Sequence, residues 1–474
     1  MITIPEYPEL LSVLSFFEEI AAIPHGSGNC SAIASYLVEF AKARSLEYRR
    51  DASDNVVIKK PATKGYESRP TVIIQGHTDM VAEKLPELPL DMKKEGLTLY
   101  RDGDFLRAKG TTLGGDDGIA VAYALALLDS DDIPHPAIEC LFTSDEEIGL
   151  IGASATDPDW LDGRVMINID SDEEGVFTVG CAGGVRVDMT LPTESAPTAD
   201  PTYTLTVTGL AGGHSGIEID KGRANANKLA AELLSSLGNI RLVSLTGGNM
   251  DNAIPRETVA VFTAEEPDLE AFAAARDAIV AKWSKSEGAI SIKLESSSEK
   301  SIALTEESTK NVIDMINDIP SGVVRMSSDI EGLVETSQNL GVARISESGA
   351  TLTVSVRSSR DECKEEQVEQ LRGISARHGA ELSTRGSYPG WAYRRDSLLR
   401  DTCVRVYRET YGKEPEVITI HAGLECGIFA GKLEGLDCIS LGPDNFDIHT
   451  TEEHLSLSSS ARVWEFLKKV LKEI

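Results

Sequence analysis

No apolar run in these 474 residues approaches the ~20 that a membrane-spanning helix needs, which excludes a chain that crosses a bilayer on helices. Positive charge is scarce. Against 76 Asp and Glu stand 46 Lys and Arg, a formal net charge of -30, and such a field repels the phosphates of nucleic acid. Solubility alone accounts for the acidity. The 7 cysteines, Cys30, Cys140, Cys181, Cys363, Cys403, Cys426 and Cys438, include no Cys-x-x-Cys pair, which removes a thiolate zinc site. Odd in number and widely spaced, they read as free thiols of a reducing cytoplasm. The start, Met1-Ile-Thr-Ile-Pro-Glu-Tyr7, lacks the basic and apolar regions of a secretory signal, so a cytoplasmic location is expected. No glycine-rich segment matches a phosphate loop or a dinucleotide fingerprint.

The chain is longer than one hydrophobic core usually supports, so two domains are expected, at roughly 100 to 200 residues each. Its first third alternates two periodicities. Glu9 to Ala22 and Cys30 to Ala43 are apolar at helical spacing, whereas Asn55 to Lys59, Thr71 to Gln75, Ala137 to Thr143 and Val165 to Ile169 read as strands. Gly118 to Leu128 is apolar on nearly all sides, as a buried helix must be. This βαβ rhythm predicts an α/β fold with a mostly parallel, helix-covered sheet. From Arg186 to about Tyr388 the texture shifts to Thr-rich alternating strands, among them Tyr203 to Val207, Val259 to Thr263 and Thr351 to Val356, with helices between them. That middle part predicts an α+β domain. After Tyr388 the first texture returns, and candidate site residues lie in both outer parts. The expectation is a discontinuous catalytic domain, residues 1–185 and 389–474, carrying an inserted domain, residues 186–388.

Polar residues gather where the α/β strands end, as functional groups do in open sheets of this class. Thr71-Val-Ile-Ile-Gln-Gly-His77-Thr-Asp79 places an imidazole and a carboxylate two positions apart at a strand end. Asp116 lies in Gly114-Gly-Asp-Asp-Gly118, Glu146 and Glu147 in Thr143-Ser-Asp-Glu-Glu-Ile-Gly149, Asp170 after Val165-Met-Ile-Asn-Ile169, and His449 in Asp447-Ile-His-Thr450. Imidazole with carboxylates suits zinc, cobalt or manganese, whereas carboxylates alone would suit magnesium or calcium. One zinc needs only three or four ligands. His77, Asp116, Glu147, Asp170 and His449 therefore favour two metals that share one carboxylate. Asp116, held between glycines, is the natural bridge, with His77 and Asp170 on one metal and Glu147 and His449 on the other. Asp79 lies on the same side of an extended chain as His77 and can orient its ring by accepting the second N–H. Glu146 neighbours a ligand and is placed to act as general base on a water that attacks a carbonyl. Alone, each of these residues has an ordinary structural explanation; the ordered set points to metal-assisted hydrolysis, of an amide above all.

In the middle domain, Gly212-Gly-His214-Ser-Gly216 is either a turn before a helix or a histidine loop that reaches an anionic intermediate or a substrate carbonyl. His421 either faces the same cleft as the metals or sits at the core edge. Arg357 ends a strand and Arg256 follows Asn252-Ala-Ile-Pro255; either could clamp a carboxylate by a bidentate pair. His25, His135, His378 and His454 read as structural.

Taken in order, Gly76-His-Thr-Asp79, Leu113-Gly-Gly-Asp-Asp-Gly118, Thr143-Ser-Asp-Glu-Glu-Ile-Gly149, Asn168-Ile-Asp-Ser171, Gly180-Cys-Ala-Gly-Gly184, Gly212-Gly-His-Ser-Gly216, Asn252-Ala-Ile-Pro-Arg256 and His421-Ala-Gly-Leu-Glu-Cys426 resemble the dinuclear zinc aminopeptidase and carboxypeptidase superfamily. More narrowly, they are similar to the aminoacyl-histidine dipeptidases, also called Xaa-His dipeptidases or peptidase D. The resemblance implies two zinc ions per chain, replaceable by cobalt or manganese, on the five ligands above, with Asp116 bridging, Glu146 as general base and Asp79 behind His77. It implies that the inserted domain is a lid whose His214 contributes to oxyanion or substrate binding, and, since that domain mediates dimerisation in related enzymes, that a homodimer can form through it; Asn252, Arg357 and His421 complete the expected substrate-binding set. It also implies a cis bond between Asp116 and Asp117. The activity implied is hydrolysis of dipeptides or short peptides with a free N-terminus, Xaa-His among them. Two departures stand out. Asp117 occupies a position that is often asparagine in relatives, and His449 lacks their usual His-Ser-Pro-like context, which leaves His454 as a second choice. An N-acyl-amino-acid deacylase or a carboxypeptidase would share every ligand, and a non-catalytic metal-binding protein would share all but the need for Glu146.

Overall fold

A helix with no polar face has to lie inside a protein, and Gly115–Asp129 is such a helix: every residue from Gly118 to Leu128 is buried. It packs against the helix Leu11–Ala21 and the strand Val72–His77. Tyr123 stacks on Trp464 of the C-terminal helix Leu457–Glu473, ring centroids 5.6 Å apart, and its hydroxyl donates to the Ser460 carbonyl at 2.7 Å. The first and last parts of the chain thus share one core. The structure is a computed structural model that describes residues 2–297, 301–328, 330 and 332–474. It divides into two units, one of Met1–Cys181, Trp391–Thr419 and Leu424–Ile474, the other of Ala182–Gly390 with Ile420–Gly423.

The first unit is α/β. Its 8-stranded sheet runs in the order Glu47–Arg50, Val56–Lys60, Ile138–Thr143, Val72–His77, Val165–Asn168, Asp437–Ser440, Val176–Cys181 and Glu416–Ile420. Ile138–Thr143, Val72–His77, Val165–Asn168 and Asp437–Ser440 pair in parallel, and the strands flanking these four pair antiparallel. The parallel order expected for the sheet therefore describes its centre. Parallel neighbours need a crossover, which the buried helix supplies between Val72–His77 and Ile138–Thr143. Both strands are buried along their whole length, as strands covered on two faces are.

The second unit is α+β. Its 9-stranded sheet is antiparallel throughout the pairs described, with the helices Ala226–Ser236, Glu306–Asp318 and Asp361–His378 contributing Leu229, Leu233, Val312, Ile316, Val368 and Leu371 to its core. The strand Val334–Ser346 begins with buried polar residues, each given a partner: Ser337 meets His421, Gln338 donates to Gln367, and Asn339 donates to the carbonyls of Asp251 and Ala253. Buried Glu287 accepts from the N–H groups of Ala211 and Ala224, so one carboxylate joins the two ends of the loop that carries His214.

Close approach of strand and helix depends on Gly76. A Cβ there would lie 2.4 Å from the Ala120 Cβ and 2.5 Å from Asp117 Oδ2. Gly76→Ala should therefore destabilise the protein by about 1–3 kcal/mol, an overpacking cost, read as a lower denaturation midpoint. Gly373, inside the helix Asp361–His378 with open space around it, is the control. Gly373→Ala should instead stabilise by about 0.5–1 kcal/mol, since the helix loses its most flexible residue.

Candidate metal centre

Parallel strands in register end along one edge, so the loops that follow them meet there. His77 ends its strand level with Thr143, and Asn168 is level with Gln75. Glu146 and Glu147 follow Thr143, and Asp170 follows Asn168. Asp116 comes from the start of the helix Gly115–Asp129, where Asp116 and Asp117 depart from helical geometry and the bond between them is cis, as the family resemblance implied. His449 lies in the turn before the strand His454–Ser456 and takes a left-handed backbone, φ 62°, with Asp447 at 52°. Such conformations are uncommon for residues other than glycine and persist where the surroundings fix them.

The five expected ligands come together. His77 Nε2 lies 2.9 Å from Asp116 Oδ1 and 3.7 Å from Asp170 Oδ1, while His449 Nε2 lies 3.1 Å from Asp116 Oδ2 and 3.0 Å from Glu147 Oε1. Asp116 thus turns one oxygen to each imidazole. Among the described residues three groups have ligand atoms within 4.8 Å of one another: His77, Asp116 and Asp170; Asp116, Glu147 and His449; and His77, Glu146 and Glu147. Glu146 is therefore as close to the cluster as the ligands are. The donor set fits divalent cations, and one atom argues for them directly. Buried Glu147 Oε1 receives no hydrogen bond, because the His449 ring nitrogen beside it is aligned with Asp116 instead. A buried carboxylate oxygen without a donor is costly, and a cation is the partner its neighbours could share.

The electrostatics agree. Burial opposes a charged His77, yet the hydrogen bond to Asp116 and the close carboxylates of Asp170 and Asp79 outweigh it and hold the imidazole well above its ordinary value. His449 is pushed up to about 10 by Asp116 and Glu147. Burial alone would raise Asp116, but His449 and His77 bring it well below the usual carboxylate range. Glu146 goes the other way: burial, reinforced by Asp170, Glu425 and Glu147, lifts its carboxyl well above the ordinary value. The two imidazolium protons occupy the carboxylate oxygens that a cation would take, so cation binding should release protons.

Asp79 supports this centre differently from the sequence expectation. The His77 Nδ1 partner is the Asp79 backbone carbonyl at 2.9 Å, and the carboxylate is farther off at 3.5 Å. Chain geometry explains the switch, since the carboxylate is already engaged: Oδ1 accepts from the Glu146 N–H at 2.9 Å, and Oδ2 accepts from Ser27 at 2.8 Å and the Glu147 N–H at 3.4 Å. Asp79 thereby pins the turn that carries the two glutamates. His454 lies outside the three groups, edge-on to Phe105 and stacked on Phe446. Two supports went unassigned in the sequence. Glu425, fully buried, accepts from Gln75 at 2.5 Å and Thr143 at 2.7 Å, and Glu453 accepts from the backbone around Asp116. A glutamate in an apolar context, Leu424-Glu-Cys-Gly-Ile428, was the available signal for the first; for the second there was none.

The substrate-binding candidates all lie in the second unit. His214 Nδ1 accepts from the N–H groups of Gly216 and Ile217, both at 3.2 Å, which leaves its Nε2 carrying the proton as a donor. Arg357, 7% exposed, donates to the Tyr388 hydroxyl at 3.0 Å and keeps its Nε unpartnered, whereas Arg256 is exposed. Asn252 offers its backbone carbonyl to the Ser215 N–H at 2.8 Å. His421 Nε2 lies 2.7 Å from the Ser337 hydroxyl, and its buried Nδ1 has no partner.

Burial first, then the positive charge of Arg357, lowers His421 to about 3. Its unfolded value is about 6.5, so between these limits the unfolded chain binds the extra proton and folding weakens as pH falls. Stability from this group is complete above about 6.5 and is lost toward about 3, with a slope of at most one proton, about 1.4 kcal/mol per pH unit. From pH 7 to pH 4 wild type should lose more stability than His421→Gln, the two curves from denaturant unfolding diverging by at most this slope.

Comparison with known proteins accords with this geometry. The family description peptidase family M20/M25/M40 matches residues 73–473. The cytosol non-specific dipeptidase of Escherichia coli (strain K12) is 36% identical over 467 residues, 97% of this chain and 96% of its own length. The crystal structure of the aminoacylhistidine dipeptidase from Vibrio alginolyticus matches with a TM-score of 0.91 at 36% identity, covering 98% of this chain and 96% of that one. The aminopeptidase PepT from Bacillus cereus ATCC 10987 shares the fold, with a TM-score of 0.59 at 16% identity over 98% of each chain. With a family match across most of its length and a full-length relative at this identity, the chain belongs to peptidase family M20/M25/M40.

Proposed function

We propose that this chain is a metallopeptidase that hydrolyses the peptide bond of dipeptides and other short peptides with a free N-terminus, Xaa-His dipeptides among them. The observation that carries this reading is the placement of Asp116, one oxygen toward His77 and the other toward His449, at the meeting point of two ligand groups. In this reading His77, Asp116 and Asp170 hold one ion and Asp116, Glu147 and His449 the other, and the ions are zinc, with cobalt or manganese as substitutes. When bound, the ions polarise the scissile carbonyl and lower the pKa of water toward about 7. Glu146 takes the proton of the attacking water and returns it to the leaving amine, a task suited to a carboxyl raised by burial and neighbouring negative charge. Asp79 fixes the backbone of Glu146 and Glu147 while its carbonyl orients His77.

In the second unit, Arg357, His214, His421 and Asn252 form the substrate-binding part of the reading. A buried guanidinium with an unpartnered Nε suits the C-terminal carboxylate, and the His214 Nε2 donor suits an oxygen that gains charge. Seven buried free cysteines and the cytosolic relative support a cytoplasmic enzyme. No helix among the described residues is long and apolar enough to cross a membrane.

Two experiments test the reading. Glu146→Gln should retain two bound ions per chain, by elemental analysis, while turnover drops about 10²- to 10⁴-fold, the usual share of a general base. Wild-type turnover in that variant would remove Glu146 from the mechanism. A panel of Xaa-His dipeptides and their N-acetylated forms should show hydrolysis of the free-amine set alone; preference for the acetylated set would make the chain a deacylase.

A further inference from the structure

Glu453 holds no ion in the reading above, yet it is 3% exposed and lies within a centre already crowded with carboxylates. Burial and the nearby negative charge of Asp116 work against its ionised form. Its hydrogen bonds explain its presence. Oε2 accepts from the N–H groups of Leu113 at 2.7 Å and Gly114 at 3.0 Å, and Oε1 from those of Gly115 at 2.8 Å and Asp116 at 3.4 Å. Consecutive N–H groups converge on one anion when the backbone curves into a concave nest, which Gly114 permits with φ 68°. The Asp116 N–H bond is the longest of the four, so Glu453 acts chiefly on the three residues before it.

The other end of Glu453 leads to His449. The Glu453 N–H donates to the Thr450 carbonyl at 3.2 Å, closing a turn one residue beyond the histidine. One side chain therefore ties the loop that presents Asp116 to the loop that presents His449, and those two residues meet at 3.1 Å. We infer that Glu453 is a positioning residue that sets the distance between Asp116 and His449 and so builds the second of the two metal sites. This rests on the dinuclear reading above. In the site formed by His77, Asp116 and Asp170 only Asp116 comes from the tied loop, since His77 ends and Asp170 follows strands that the sheet holds in register, whereas both Asp116 and His449 of the other site are held by the staple.

Glu453→Gln keeps the size of the side chain but replaces one acceptor oxygen with a donor, which faces N–H groups and cannot bond them. Full-length protein stripped of metal is titrated with cobalt, followed by visible absorption, and with zinc by calorimetric competition. Wild type should bind two ions. In Glu453→Gln the first should bind as in wild type and the second 10- to 100-fold more weakly, the usual loss when an outer support of a ligand is removed. Activity should return as metal concentration rises, with KM for the dipeptide unchanged; the exposed neighbour Glu452→Gln should match wild type. If Glu453→Gln does not fold, Glu453→Asp, which keeps the charge but falls short of the nest, should give the same split. Two ions at wild-type affinity in the variant would overturn this inference alone, as would equal loss of both. Fewer than two ions in the wild type would overturn the dinuclear reading and this inference with it.

Discussion

Asp116 carries a requirement that the rest of the first unit meets: one short carboxylate must face two imidazoles at once, with Asp170, Glu146 and Glu147 crowded beside it. Buried negative charges at such spacing repel, and only positive partners make the arrangement tolerable. The upward shifts of His77 and His449 and the raised carboxyl of Glu146 are three expressions of that strain. A site of this kind cannot rest on loops that wander, because a misplacement of one oxygen would leave an ion with too few ligands.

The fold answers with hydrogen bonds that run from strand to strand beneath the cluster. Glu425 accepts from Gln75 and Thr143, and Asn168 donates to the Gln75 side-chain oxygen at 2.7 Å. Gln75, Thr143 and Asn168 sit on three neighbouring parallel strands, each just before a segment that carries a residue of the cluster, and Glu425 reaches the first two from the start of a helix. On the far side of the Glu146-Glu147 turn, Lys432 donates to the carbonyls of Ala153, Ser154 and Thr156 and so caps the short helix Ile151–Ala155. Gly152 lets that helix approach closely, since a Cβ there would lie 2.2 Å from the Ser144 carbonyl oxygen. The residues of the cluster are few, and the residues that hold them are many.

Much of this was legible from the chain. The all-apolar segment from Gly118 to Leu128 became the buried helix because nothing in it could face water. The segments Thr71 to Gln75, Ala137 to Thr143 and Val165 to Ile169, short and rich in apolar and β-branched residues, became central strands covered on both faces, and the polar residues at their ends met at one edge. The polar strand Val334–Ser346 was not legible: Val-Glu-Thr-Ser-Gln-Asn has no apolar alternation, and its burial depends on partners as remote as Gln367 and His421. Spacing alone pairs the Asp79 carboxylate with the imidazole, and spacing does not register the competing backbone donors of Glu146 and Glu147.

The division between the two sources is physical. Period, charge and residue type act along the chain, so the sequence by itself determined the α/β class of the first unit, the set of imidazoles and carboxylates fit for two divalent ions, and the family the chain resembles. Distances between segments hundreds of residues apart arise only when the core closes. The tertiary structure alone decided that Asp116 faces both His77 and His449, that the Ile420–Gly423 segment with His421 belongs to the second unit, and that Glu453, through backbone N–H groups common to every sequence, holds the Asp116 loop in place.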